Sequence, residues 1–344
     1  MDKKKVIWAV LFVFIAGASI WAVMSQAQSF SVDMFCRYIE QADVRWLYGG
    51  IACMFGYVVF EGLAIYCIID GLGYRRKFRS NIVYSSADIY FSAITPSATG
   101  GQPASAYFMV KDGVPPAVVT VSLLVNLIMY TAAILVIGLV CILICPYIFV
   151  NFNLISRILV VVGYIVIAFL GIVFMLLLFR KSLLERICNR VLKFLDQFKL
   201  IRNRSRKKKK LEKTMEDFRQ CTDMVAGQRT MLWKAFLYNL LQRMSQLMVT
   251  VMVYMASGGS FEKFGDVFAT QSLVVIGSNC APIPGAMGVA DYLMLDGFSN
   301  IVGDANVANL ELLSRSLSFY VLIIVSGIVV LTGYILRKIK RRNV

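Results

Sequence analysis

Two apolar stretches of this chain are each interrupted by a run that hydrocarbon cannot accommodate. The first interruption is Ile94-Thr-Pro-Ser-Ala-Thr-Gly-Gly-Gln-Pro103, and the second is Asn279-Cys-Ala-Pro-Ile-Pro-Gly-Ala-Met-Gly288. Proline removes a backbone donor and clashes with the preceding turn, so neither stretch can continue as one unbroken helix. Peptide groups freed in this way at bilayer depth must be satisfied inside the protein or by a water-filled cavity. Paired interrupted segments in two halves of a chain point to a transporter's binding site.

The setting of these interruptions is a membrane. Of the 344 residues, 58% are hydrophobic and 16% charged, with a mean hydropathy of +0.70. Several windows reach the ~20 apolar residues that cross a bilayer. Six spans are expected: Val6–Met24, Trp46–Asp70, Ala117–Ile144, Ile155–Phe179, Met231–Ala256 and Glu311–Leu336. The first follows Lys3-Lys4-Lys5, but its apolar run exceeds a signal peptide's ~7–15 residues, so it reads as a retained helix. With the N-terminus inside, thirty Lys and Arg residues fall on the cytoplasmic side and four (Arg37, Arg45, Arg157, Lys263) outside. That asymmetry sets the orientation and places both termini in the cytoplasm.

In this frame the first interrupted segment, about 81–112, leaves from and returns to the cytoplasmic side; the second, about 264–300, does so from the outside. The expected fold is an all-α polytopic membrane protein of six transmembrane helices plus two re-entrant broken hairpins arranged as inverted repeats. Residues 1–150 form the first repeat and 151–344 the second, which also carries a basic cytoplasmic segment at 180–230. There, Leu183, Leu184, Ile187, Val191, Leu195 and Phe198 recur at helical spacing, as in a helix lying on the inner leaflet. The cluster Arg202, Arg204, Arg206, Lys207, Lys208, Lys209 and Lys210 that follows is a candidate surface for anionic headgroups, each basic residue contributing about 1 kcal/mol. A loop that only sets topology is the plainer alternative. Nucleic acid is not expected, since no aromatic platform accompanies the basic run.

Charges inside spans are expensive, about 2.5–3.5 kcal/mol each on insertion scales, and mark function or a buried partner. Glu61 lies near the middle of the second span and Arg243 at the middle of the fifth. Asn239, Gln242, Gln246 and Thr250 share a face with Arg243, and Ser122, Asn126 and Tyr130 form a weaker polar stripe on the third span. A two-fold axis in the membrane plane would bring Glu61 and Arg243 together, as a structural ion pair or as a site in which Arg243 takes a phosphate and Glu61 a cationic group. Guanidinium suits phosphate because its planar fork donates two parallel hydrogen bonds. Asp88, Thr95, Ser97, Thr99 and Gln102 around the first interruption and Asp291 after the second complete the candidate substrate-binding set. Asp88 and Asp291 suit an amine or a proton, with helix capping the alternative. Candidate gate or hinge residues are Pro96, Gly100, Gly101, Pro103, Pro282, Pro284, Gly285 and Gly288. Glu311 and Arg315, one turn apart, are expected to pair.

Histidine is absent, which removes imidazole bases, Ser-His nucleophiles and His-ligated metals. No P-loop is present, so ATP is not expected to act within this chain. No catalytic constellation, cofactor or metal site is predicted.

The run Thr95-Pro-Ser-Ala-Thr-Gly-Gly-Gln-Pro103 with Ala106-Tyr107-Phe108-Met109, together with Ala281-Pro-Ile-Pro-Gly-Ala-Met-Gly-Val-Ala-Asp291, resembles the flippase-type membrane domain of lysylphosphatidylglycerol synthases, also called multiple peptide resistance factors. The family's patterns are similar to T-P-x-x-x-G-G-E-P followed by R-A-Y, and P-x-P-G-G-x-G-x-x-E. Gln102 stands where an acid is common, Ser105 where an arginine is common, Ala286 at the second glycine and Asp291 at the glutamate. The resemblance implies movement of an aminoacylated phosphatidylglycerol, such as lysyl-phosphatidylglycerol, between leaflets of a bacterial cytoplasmic membrane, which lowers surface negative charge and resists cationic peptides. Full-length members carry a soluble aminoacyltransferase domain; with Val344 just past the last span, a stand-alone member without the synthase is expected, and not an enzyme. Membrane phospholipids, anionic or aminoacylated, are the expected partners, with a separate synthase and a second copy as further candidates. A lipid-modifying transferase with its site at Glu61 and Asp88, or a non-transporting scaffold for a synthase, are the alternative functions.

Overall fold

The computed structural model describes residues 40–95, 99–180, 204–279, 288–302 and 304–342; the side chains of 204–215, 304–306, 308 and 340–342 lie outside that description. Among the described residues the chain is helical, with no strand. The helices are α1 (Val44–Gly71), α2 (Phe78–Ile94), α3 (Gly101–Lys111), α4 (Pro116–Ile144), α5 (Pro146–Asn151), α6 (Leu154–Phe179), α7 (Arg204–Gly227), α8 (Arg229–Ala256), α9 (Phe264–Ser278), α10 (Val289–Val302), α11 (Asp304–Arg315) and α12 (Leu322–Arg342). A π-helical turn, Ser316–Val321, joins α11 to α12.

Local chemistry fixes several of these limits. Asp43 caps α1 by accepting from Arg45 N at 3.0 Å, and Asn153 caps α6 by accepting from Ser156 N at 2.8 Å. Pro116 and Pro146 stand at first helical positions, where the missing N–H costs nothing. The same Pro146 stops α4 at Ile144.

Among the described residues four helical stretches are long and apolar enough to cross a membrane: Val44–Gly71, Pro116–Ile144, Leu154–Phe179 and Asn309–Ile339. This is a multi-pass α-helical membrane protein. The expected fifth span, α8, has the length at 28 residues, but its polar stripe keeps it below that hydropathy. The first expected span, Val6–Met24, and the expected surface helix at 183–198 lie outside the described residues. The basic cluster opens α7, which places Arg204, Arg206, Lys207, Lys208, Lys209 and Lys210 on a helix backbone; Arg202 lies outside the described residues. The later turns of α7 bury Phe218, Cys221 and Val225 against the inner core.

The centre of the molecule is the antiparallel pair of α1 and α8. Asp43 N donates to Ala256 O at 2.8 Å at one end, and Gln228 Nε2 donates to Gly71 O at the other. Two apolar cores flank the pair. One gathers Met54, Val58, Leu247, Val249, Leu273, Phe298 and Leu313; the other gathers Ile65, Ile68, Tyr84, Phe108, Val118, Val225 and Ala235. Between them lies a polar layer carrying Glu61 on α1 and Asn239, Gln242 and Arg243 on α8, all buried.

The interrupted segments form two helical pairs, α2 with α3 and α9 with α10, whose members pack on each other. Their placement is reciprocal: α2 packs on α1 and α12, and α9 packs on α8 and α4. The α9 backbone also approaches α6 so closely that a Cβ on Gly163 would strike the Ile276 carbonyl, the small-residue contact that lets apolar helices meet in a membrane.

A half-buried clamp ties α12 to the end of α3. Arg337 of α12 donates to Asp112, at the end of α3, through Nε at 2.8 Å and Nη2 at 2.6 Å. Tyr84 of α2 donates to the same carboxylate at 2.6 Å. Burial alone would push the Asp112 carboxyl up, but the hydrogen bonds from Arg337 and Tyr84 and the nearby Arg337 and Arg76 charges outweigh it and hold it below the ordinary carboxylate range. A carboxylate depressed by folding stabilises fully above its unfolded value, about 3.9, and that contribution disappears as pH falls through the folded value. Asp112→Asn is therefore expected to destabilise by about 2–3 kcal/mol at pH 7, discounted for partial exposure, and to weaken the protein's loss of stability below about pH 4. Thermal melts in detergent across that range measure both effects; an unchanged pH 7 melt contradicts the clamp.

Candidate functional site

The polar layer opens onto a cavity of about 630 Å³, within the ~300–1,000 Å³ usual for small-molecule sites. Its wall is built from α1, α2, α3, α4, α6, α8, α9, α10, α11, the π turn and the start of α12. Glu61, Asp88, Gln102, Gln242, Arg243 and Gln246 from the sequence-derived set all line it, as does Thr250.

Arg243 is 4% exposed and its guanidinium lies over the Tyr130 ring at 3.6 Å from the centroid, with the Tyr57 ring at 5.5 Å. Its Nη1 donates to Gln246 Oε1, and its Nη2 to the Tyr57 hydroxyl at 3.4 Å. Nε has no protein partner. Among the described residues no carboxylate oxygen lies within 4 Å of this cation. The direct Glu61–Arg243 pair considered from the sequence is thus not formed: Gln242 Nε2 donates to Glu61 Oε2 at 3.0 Å instead. One residue along a helix is about 100° of rotation, so Gln242 meets α1 while Arg243 turns toward α4.

Asp88 is 7% exposed and accepts from Gln102 Nε2 at 2.8 Å and Ser92 Oγ at 3.3 Å. The contact is made by the interruption itself. Thr95 Oγ1 donates to Phe91 O at 2.6 Å and accepts from Gly100 N at 2.8 Å, closing the end of α2 onto the start of α3. Gly101 rests directly on Asp88 and Ser92, leaving no room for a side chain. Pro103, in the first turn of α3, needs no backbone donor there. Gln102 and Ala290, in the first turns of α3 and α10, both line the cavity, so the starts of two helices border it.

Other expected residues lie elsewhere. Asn239 is fully buried and donates to Asn126 Oδ1 at 3.0 Å, joining α8 to α4. Thr95 and Thr99 flank the first interruption and do not line the cavity, nor does Asp291. Asp291 accepts from Gly288 N at 2.9 Å, where Gly288 takes a φ of 82°, and forms an ion pair with Arg315. The expected Glu311–Arg315 pair is present at 3.9 Å as the longer of Arg315's two contacts. Pro96, Ser97, Pro282, Pro284 and Gly285 lie outside the described residues. Sequence reasoning did not single out Tyr57, Ser92, Gln271, Asn279, Ser314 and Ser318, which also line the cavity. Gln271 sits in the mainly apolar α9 and Asn279 opens the second interruption, and such isolated polar residues were the available signal.

A family profile described as the lysylphosphatidylglycerol synthase TM region matches residues 6–326. The chain belongs to this family. It is a membrane domain of a family related to lipid handling, and lipid is its expected medium of interaction. The matched span includes both interruptions and every cavity residue named above, whereas Arg337 of the clamp lies beyond it. No curated protein matches the chain.

The packing at Gly101 yields a test. Gly101→Val should displace α3 from α2, break the Gln102–Asp88 contact and reduce any cavity-dependent activity at least about tenfold, since one lost charged hydrogen bond is worth 1.5–3 kcal/mol. Measuring headgroup binding by the purified variant checks this; wild-type affinity would contradict it.

Proposed function

We propose that this chain moves a phospholipid between leaflets, with an aminoacylated phosphatidylglycerol such as lysyl-phosphatidylglycerol as the substrate class. The observation that carries this reading is Arg243: a buried guanidinium held between two tyrosine faces, with no carboxylate within 4 Å among the described residues. A buried cation without an anion is costly, and a lipid phosphate in the cavity would supply one. The N-termini of α3 and α10 favour the same anion. The carboxyls of Glu61 and Asp88 on the same wall suit the ammonium of an aminoacyl group. Membership in the lysylphosphatidylglycerol synthase TM region family supports this lipid chemistry.

In this reading α2–α3 and α9–α10 are re-entrant hairpins entering from opposite faces, and residues 1–150 and 151–344 are inverted repeats of three spans each. The reciprocal packing of α2 on α12 and of α9 on α4 supports the pseudo-two-fold relation. The hairpins then serve as alternating gates around a fixed site. The strong Lys and Arg asymmetry supports cytoplasmic termini in a bacterial cytoplasmic membrane, with the start of α7 gathering anionic lipid near the inner entrance. The protein itself carries no lipid-modifying chemistry in this scheme; a separate synthase supplies the aminoacylated lipid, and a second copy is a further candidate partner.

Reconstituted in liposomes with labelled lysyl-phosphatidylglycerol, the protein should transfer label between leaflets without changing the lipid's mass. Arg243→Ala should lower the rate roughly 10–100-fold, the equivalent of a lost charge-assisted hydrogen bond. Arg243→Lys should recover part of it, because an ammonium keeps the charge but loses the planar fork. A changed lipid mass would instead mark a transferase. Equal rates in all three proteins would end the phosphate assignment.

A further inference from the structure

Glu61 and Asp88 share more than a wall. Glu61 projects from α1 and is 5% exposed; Asp88 projects from α2, the arm of the first hairpin, and is 7% exposed. Helices α1 and α2 pack on each other, which sets both carboxyls on the same stretch of the cavity wall. Carboxylate oxygens only accept, so a hydrogen bond between two carboxyls requires one of them to carry a proton. The donors to the pair are neutral: Gln242 to Glu61 at 3.0 Å, Gln102 to Asp88 at 2.8 Å and Ser92 to Asp88 at 3.3 Å.

The charged groups around the pair form no ion pair with it, although the Arg243 charge acts on both carboxyls through space. From α8 comes Arg243, engaged with Tyr57 of α1, Tyr130 of α4 and Gln246. Arg315, the other base lining the cavity, is committed to Asp291 and Glu311. From α12, packed on α2, Arg337 is held by Asp112, and from α3 Lys111 donates to the Tyr107 hydroxyl at 2.7 Å. No base lies within 4 Å of either carboxyl among the described residues. Two adjoining carboxyls so placed resist double ionisation. Gln242 Oε1 is 1% exposed as a residue, lines the cavity and has no protein partner, so the site still offers an acceptor to an incoming donor.

We propose that Glu61 and Asp88 form one proton-binding site and that a cationic headgroup entering the cavity displaces this proton. The exchange balances: one ammonium enters beside two carboxylates and one proton leaves to water in the cavity. The pair bridges the seam between α1, which is anchored on α8, and the α2–α3 hairpin. Deprotonation without a replacement cation sets two negative charges across that seam and drives the hairpin outward. Occupancy by a proton or an ammonium holds it in. This exchange rests on the lipid-transport reading of the cavity; the shared proton does not.

Two measurements on the full chain separate these parts. Infrared spectra of the purified protein at neutral pH should show a protonated-carboxyl C=O stretch that weakens, relative to the wild type, in Glu61→Gln and in Asp88→Asn. Both variants mimic a protonated carboxyl and should elute and melt as the wild type does. Absence of the band, or its persistence at wild-type intensity in both variants, overturns the proton site. In weakly buffered detergent, saturating lysyl-phosphatidylglycerol should release about one proton per chain, reported by a pH dye, whereas phosphatidylglycerol should release none. Binding of the lysyl lipid without proton release, or equal release by the Glu61→Gln variant, overturns the exchange. If neither lipid binds while the carboxyl band is present, the transport reading and the exchange fail together and the shared proton stands.

Discussion

A peptide group that loses its helical partner at bilayer depth has to find another one inside the protein. At two interruptions in this chain a partner for the freed groups is found inside the protein. At the first interruption Thr95 takes both roles, donating to Phe91 O and accepting from Gly100 N, and Gly101 lets α3 lie against α2. At the second, Asp291 accepts from Gly288 N across the start of α10. Neither pair of short helices could stand alone in lipid. Each is enclosed by long helices from the other half, α12 on α2 and α4 on α9.

The polar layer illustrates why a lone charge can persist between two apolar cores. Moving an arginine into a low-dielectric region costs several kcal/mol even after relaxation. Here the cost is offset by ring faces, a glutamine and a tyrosine hydroxyl, none of which removes the positive charge. A direct salt bridge would have satisfied the group and silenced it. Separation of Arg243 from Glu61 by the intervening Gln242 leaves one cationic and one acidic region in the same cavity.

Much of this was legible in the residues. Long apolar runs located α1, α4 and α6 within a few positions, and the last expected span, Glu311–Leu336, falls within the apolar stretch Asn309–Ile339 that runs from α11 through the π turn into α12, because hydropathy over twenty residues is a strong signal. The interruptions were equally plain, since proline and glycine act locally. Of the polar and charged residues read from the sequence, Glu61, Asp88, Gln102, Gln242, Arg243 and Gln246 lie together on the cavity wall. What the sequence withheld depended on rotation and on long-range approach. Whether Gln242 or Arg243 meets Glu61 is a matter of 100° about one axis. That Tyr57 and Tyr130 enclose Arg243 joins three helices distant in sequence. Arg315 was expected to find Glu311 one turn away, yet its nearer partner, Asp291, lies across a helix boundary. The Asp112–Arg337 clamp joins residues 225 positions apart and had no local signature.

The π turn at Ser316–Val321 interrupts an otherwise continuous helical run from the cavity to the last residues described. Such a turn holds an extra residue relative to an α-helix. Ser318 and Phe319, inside it, face the cavity, while Arg337 lies several turns farther along. Excising a single residue from this turn would restore ordinary winding and twist everything beyond it by about 100°. The guanidinium of Arg337 would then swing away from α3, so the phase of this one widened turn sets both the lining of the cavity and the tie from α12 to Asp112.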